Sequence, residues 1–139
     1  MVKSIVSAPG ISAPSAPFSM ATRNGNLLFV AGIVALDSRG SLVGVDNIKA
    51  QTRQVLENIK ELIATAGGSL SDVTKTTVYL TDFKNYGGMN EVYREYFAEA
   101  PPARASVKVE LVDPRYLVEI DAIAVLSDSV NLPRMAPRT

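Results

Sequence analysis

From Ile48 to Ala66 the apolar positions Ile48, Val55, Leu56, Ile59, Leu62, Ile63 and Ala66, with the half-apolar Thr52, recur three and four residues apart. That spacing gathers them on one face of a helix. Asp46 or Asn47 stands where a cap belongs, and Gly67-Gly68 supplies the stop. Residues 73–80, VTKTTVYL, are rich in β-branched side chains and predict a strand. After an interruption at Gly87-Gly88, Met89, Val92, Tyr93, Tyr96 and Phe97 return to helical spacing until Pro101-Pro102 forbids continuation.

Upstream, residues 7–17 are dense in Ser, Ala, Pro and Gly and predict a surface loop. ATRNGNLLFVAGIVAL then predicts strand, Asn24-Gly25 turn, strand. Two more strands are expected over Ala105–Leu111 and Leu117–Leu126, joined as a hairpin through Asp113-Pro114-Arg115. The order ββαβαββ fits an α+β sheet carrying both helices on one face. In the last strand Val118, Ile120, Ala122, Ala124 and Leu126 alternate with Leu117, Glu119, Asp121, Ile123 and Val125. Both sides carry apolar residues, so both need cover, and with only two helices the second cover is expected from another subunit. The whole chain, 1–139, is read as one domain with its core over about 16–126, and 127–139 as an aperiodic tail that is disordered or lies across a neighbour.

Composition narrows the chemistry. Fourteen basic residues balance fourteen acidic ones, so no excess charge is available for nucleic acid or an anionic membrane. No run approaches the length of a membrane span and no signal-peptide pattern opens the chain, so a cytoplasmic protein is expected. The sequence has no Cys and no His, which removes thiolate chemistry and the usual zinc ligands and leaves carboxylates, Tyr, Lys, backbone or water to move protons.

One arginine and two carboxylates stand out in the C-terminal strands. Alternation points Arg104 and Ser106 the same way, and a guanidinium there can hold a carboxylate with two parallel hydrogen bonds. A hairpin about Pro114 would set Glu119 opposite Val109, about 16 Å of strand from Arg104. The two are therefore expected to meet only across a subunit boundary. The plainer readings are a surface ion pair for Arg104, solvated edge charges for Glu119 and Asp121, and core or interface packing for Tyr79, Tyr93 and Tyr96. Asp121 is expected to face solvent.

The strings TTVYLTD (76–82), MNEVYREYF (89–97), PPARASVKVELV (101–112) and VEIDAIAV (118–125) resemble, in this order, the reactive-intermediate deaminase family, the Rid or YjgF-like proteins. The resemblance implies a chorismate-mutase-like fold assembled as a homotrimer around a central barrel, with clefts between subunits. It implies hydrolysis of enamines and imines to 2-oxo acids and ammonia without metal or organic cofactor. Arg104 matches the family's substrate-carboxylate clamp and Glu119 its water-handling acid.

The departures lie in the pocket. Phe18 stands where the family commonly has Tyr, Ala31 where it has Ser, Ile33 where it has Gln, and Ser106 where Cys is frequent. These residues are the expected substrate-binding set with Arg104. A pocket so stripped of hydroxyls favours a larger or less polar substrate, for which 2-aminomuconate is the specific expectation and generic 2-imino acids the alternative. A second reading is a trimer that binds small carboxylate metabolites without turning them over. RNA cleavage is a third, disfavoured by the zero net charge and the missing His.

Overall fold

The computed structural model describes residues 2–127. Six strands form one mixed sheet: β1 (Ser4–Val6), β2 (Ala21–Asn24), β3 (Leu27–Ile33), β4 (Val73–Leu80), β5 (Ala103–Lys108) and β6 (Val118–Val125), ordered β1-β2-β3-β6-β4-β5. Helices α1 (Ile48–Thr65) and α2 (Tyr86–Tyr96) pack on one another, and α1 covers β3 and β6. The α+β architecture expected from the sequence is present, with the short β1 added at its start. The expected tail falls outside the described residues from position 128 onward.

Local signals account for most element ends. Asn47 Oδ1 accepts from the Ala50 amide at the start of α1. At its end the Gly68 amide reaches back to the Ile63 carbonyl and Gly67 to Ala64, with Gly67 at φ 90°, a Schellman closure that glycine adopts without steric cost. The first hairpin turns one residue later than expected. Asn24 faces Leu27 across a Gly25-Asn26 loop in which Gly25 alone has positive φ, the pattern of a type II′ turn.

Two expectations need correction. Gly87-Gly88 does not interrupt α2 but forms its first turn. A Cβ on Gly88 would lie 2.8 Å from Ile48 Cγ2, so the missing side chain lets the two helices approach. The larger correction concerns the C-terminal strands, which are not a hairpin. β6 runs antiparallel between β3 and β4, while β5 lies parallel to β4 on the outer edge. Residues 109–117 cross the end of β4, where the Val109 amide donates to Leu80 O and Thr81 to Leu117 O. The fully buried Gln51 braces this crossing, donating to Gly44 O and Arg115 O and accepting from the Leu117 amide. A strand apolar on both sides gains most from a central place, and that place belongs to β6.

The core lies between helices and sheet. Val118, Ile120, Ala122, Ala124 and Leu126 are buried there with Leu28, Val30, Val78 and Leu80. On the opposite face Leu27, Phe29, Val107, Ile123 and Val125 are each 36–42% exposed, flanking Lys75, Thr77, Tyr79, Glu119 and Asp121.

Candidate active site

The register places Arg104 beside Thr76 and Glu119 beside Tyr79. Thr76 is buried under α2, with its Oγ1 2.7 Å from the Tyr93 hydroxyl, so Arg104 and Ser106 look toward the helices. Glu119 lies on the open face. Within one chain the two candidates are thus separated by the thickness of the sheet, a stricter separation than the hairpin offset implied.

Arg104 is held in a half-buried seat. Its Nη1 donates to Asn90 Oδ1 at 2.8 Å and its Nη2 to the Tyr86 hydroxyl at 3.1 Å. The guanidinium carbon lies 4.8 Å from the centre of the Tyr93 ring and 5.6 Å from that of Tyr86, so two aromatic faces support the cation. No carboxylate pairs with it among the described residues, which replaces the expected surface ion pair. Asn90 and the Arg104 charge together draw the Tyr86 hydroxyl below the usual phenol range. Nη1 also lies 4.0 Å from Met89 Sδ, while Nε has no partner among the described residues, so Nε–H and the second Nη2–H are the donors left for a carboxylate. Sequence reading missed Tyr86 and Asn90, although 86, 89, 90 and 93 form one helical stripe once Gly87-Gly88 is allowed inside the helix.

Glu119 lines a cleft of about 690 Å³ together with Phe18, Ala31 and Ile33, so three of the expected substrate-binding residues do converge on it. Phe18 is 50% exposed, whereas Ile33 is buried in the core and only backs the wall. Arg104 and Ser106 do not line this cleft. Among the described residues Glu119 has no hydrogen bond or ion pair, and burial, followed by the charge of Asp121, pushes its carboxyl above the ordinary range. Asp121 does not simply face solvent. Its Oδ1 accepts from the Thr77 amide at 3.0 Å and its Oδ2 from the Tyr79 hydroxyl at 2.9 Å. No three His, Cys, Asp or Glu side chains converge to hold a metal ion among the described residues.

Gly32 is a further site residue that sequence reading missed. A Cβ there would collide with Glu119 Oε2 and sit 2.7 Å from its Cδ. The signal was available, since glycine inside a strand marks close approach of another group. Gly32→Ala is expected to swing the Glu119 carboxylate aside rather than unfold the chain, because a side-chain end yields easily. Any hydrolytic activity should fall by up to about 100-fold, the cost of roughly 1 Å of misplacement, with little change in thermal midpoint. A matched loss of stability and activity would show instead that Gly32 serves the sheet.

Residues 9–126 match the family model described as endoribonuclease L-PSP. A RutC family protein of Pyrococcus horikoshii is 46% identical over 123 residues, covering 88% of this chain and 98% of that one. Among solved structures, YyfA of Yersinia pestis, a protein of unknown function of the Rid family, is 32% identical. It superposes with TM-score 0.84 over 90% of this chain and 100% of its own. TdcF of E. coli, solved with bound serine, is 29% identical with TM-score 0.83, covering 89% of this chain and 99% of that one.

Proposed function

The chain belongs to the Rid (YjgF-like) family that the endoribonuclease L-PSP model describes, and from that membership we propose that it hydrolyses 2-imino acids, and their enamine tautomers, to 2-oxo acids and ammonia. The observation that carries this reading is the Arg104 guanidinium, seated against two aromatic rings with its Nε–H unpaired among the described residues. That Nε–H, with the second Nη2–H, fits a substrate carboxylate. The serine bound in TdcF is a small carboxylate of the same kind.

In the reaction the enamine becomes the imine, whose carbon is electrophilic. Water attacks that carbon as Glu119 accepts its proton. On the protonated imine this gives a neutral carbinolamine; Glu119 returns its proton to the nitrogen, the C–N bond breaks as the hydroxyl oxygen forms the carbonyl, and the hydroxyl proton leaves with ammonia as ammonium. Holding water and carbon together supplies the rate advantage. Because Arg104 and Glu119 occupy opposite faces of the sheet, one substrate is gripped by both only when Arg104 of one subunit closes the cleft of another. The exposed apolar face with Phe29, Ile123 and Val125 suits burial in such an assembly, read here as a homotrimer in the cytoplasm.

The finer substrate reading is 2-aminomuconate. The cleft is larger than a three-carbon imine needs and is walled by Phe18, Ala31 and Met20. Its one cationic lining residue is Arg39, whose guanidinium has no ion pair among the described residues. Asp37 fixes the turn beneath it, accepting from the Arg39 and Ser41 amides. For a substrate with a second carboxylate, Arg39→Ala should change the KM ratio between diacid and monoacid imines roughly fivefold, at ~1 kcal/mol for an exposed ion pair.

The test is ammonia and oxo-acid release from imines made in situ by an amino-acid oxidase, and from 2-aminomuconate, with the protein and its Arg104→Ala variant. Release that the variant abolishes supports the hydrolase. Carboxylate binding that needs Arg104 without ammonia release supports the metabolite-binding reading, which the loss of hydroxyls at Phe18 and Ala31 favours.

A further inference from the structure

We propose that Asp121, fixed by Tyr79 and Thr77, is a positioning residue that governs how Glu119 takes up and returns its proton, an inference that rests on the hydrolase reading above. Glu119 and Asp121 are two residues apart on one face of β6, about 7 Å along the strand. Their surroundings differ in a telling way. Asp121 is tied at both oxygens to β4, through the Thr77 amide and the Tyr79 hydroxyl. Glu119 is tied to nothing among the described residues and rests against the bare Cα of Gly32. One carboxylate is therefore anchored and the other left free to meet water.

Hydrolysis asks Glu119 for two opposite acts. It receives a proton as the water oxygen bonds to the imine carbon, and that proton must then pass to the departing nitrogen as the C–N bond breaks. A carboxylate with too little proton affinity fails at the first act. Partial burial raises that affinity, and the neighbouring negative charge of Asp121 raises it further. The anchoring bonds keep that charge at a constant distance through the cycle. They also prevent Asp121 from rotating toward the cleft to compete for the proton.

The other groups near Glu119 do not take this role. On β4 the facing ionisable residues are Tyr79 and Lys75. Tyr79 spends its hydroxyl on Asp121, and Lys75 Nζ turns to Thr76 O and Thr77 Oγ1. On β3 the facing residues Phe29 and Ala31, with Gly32, have no ionisable group. From the loops, Arg39 and Tyr116 line the same cleft. In the proposed assembly Arg104 of a neighbouring subunit engages the substrate carboxylate.

The test reads the titration of the Glu119 side-chain carboxyl carbon by 13C NMR without substrate, beside the pH profile of kcat/KM with an imine. Asp121→Asn is expected to move the Glu119 titration and the acidic limb of the profile together to lower pH. Tyr79→Phe removes the hydroxyl dipole that partly offsets the Asp121 charge, so it should move both upward, and it carries the test alone should Asp121→Asn fold poorly. A Glu119 titration unmoved in both variants, or moved downward in Tyr79→Phe, overturns the proposal. Should the wild-type protein release no ammonia from any imine, the hydrolase reading falls, while the substrate-free titration still reports whether Asp121 acts on Glu119.

Discussion

Arg104→Lys is expected to lower kcat/KM for imine hydrolysis by roughly 10²- to 10⁴-fold, since two hydrogen bonds to a charged group are lost at ~1.5–3 kcal/mol each. A lysine ammonium keeps the charge but not the plane. It cannot present a planar two-donor fork while also satisfying Asn90 Oδ1 and the Tyr86 hydroxyl. Stability should change little, because the arginine sits on an edge strand with one flank open. Steady-state kinetics and a thermal melt on the same preparation check this. Full activity in the lysine variant would mean that only a point charge is needed and that the aromatic seat has no part in catalysis.

Glu119→Gln should reduce turnover by about 10²- to 10⁴-fold, the usual contribution of a positioned acid–base group, while making the protein harder to unfold at neutral pH. Burial and Asp121 raise the folded-state pKa of this carboxyl, so ionising it opposes folding. Its destabilising effect is absent below the unfolded-state pKa, grows as pH rises toward the folded-state value, and is complete above that. The glutamine variant should therefore melt higher than the wild type at pH 7, and the difference should vanish toward acid. Melts across pH decide the matter. A variant less stable at pH 7 would place Glu119 in a favourable interaction rather than in an unpaired one.

These two residues also mark how far the sequence could be read. Val73–Leu80 was legible residue for residue, because β-branched runs and turn signals act within a few positions. The same holds for α1, where spacing, Asn47 and Gly67-Gly68 agree. The one-residue slip at Gly25 and the start of α2 at Tyr86 turned on glycines, which suit a turn, a helix end or a close contact equally well. The hairpin expected through Pro114 failed for a different reason. Asp113-Pro114-Arg115 does form a local turn, with the Arg115 amide on Asp113 Oδ1, but a turn says nothing of which strand lies next to which.

Sequence alone therefore determined the α+β class, the two-sided character of β6, the facing of Arg104 with Ser106, and an acid–base inventory without His or Cys. All of these follow from composition or from periodicities a few residues long. Only the tertiary structure decided that β4 separates β5 from β6, that Arg104 rests on Tyr86 and Tyr93 while Glu119 leans on Gly32, and that Asp121 is anchored beside it. Those relations join residues 11–87 positions apart in the chain. They arise from which strand gains most by burial on both faces, a comparison among all the strands at once that no local pattern contains.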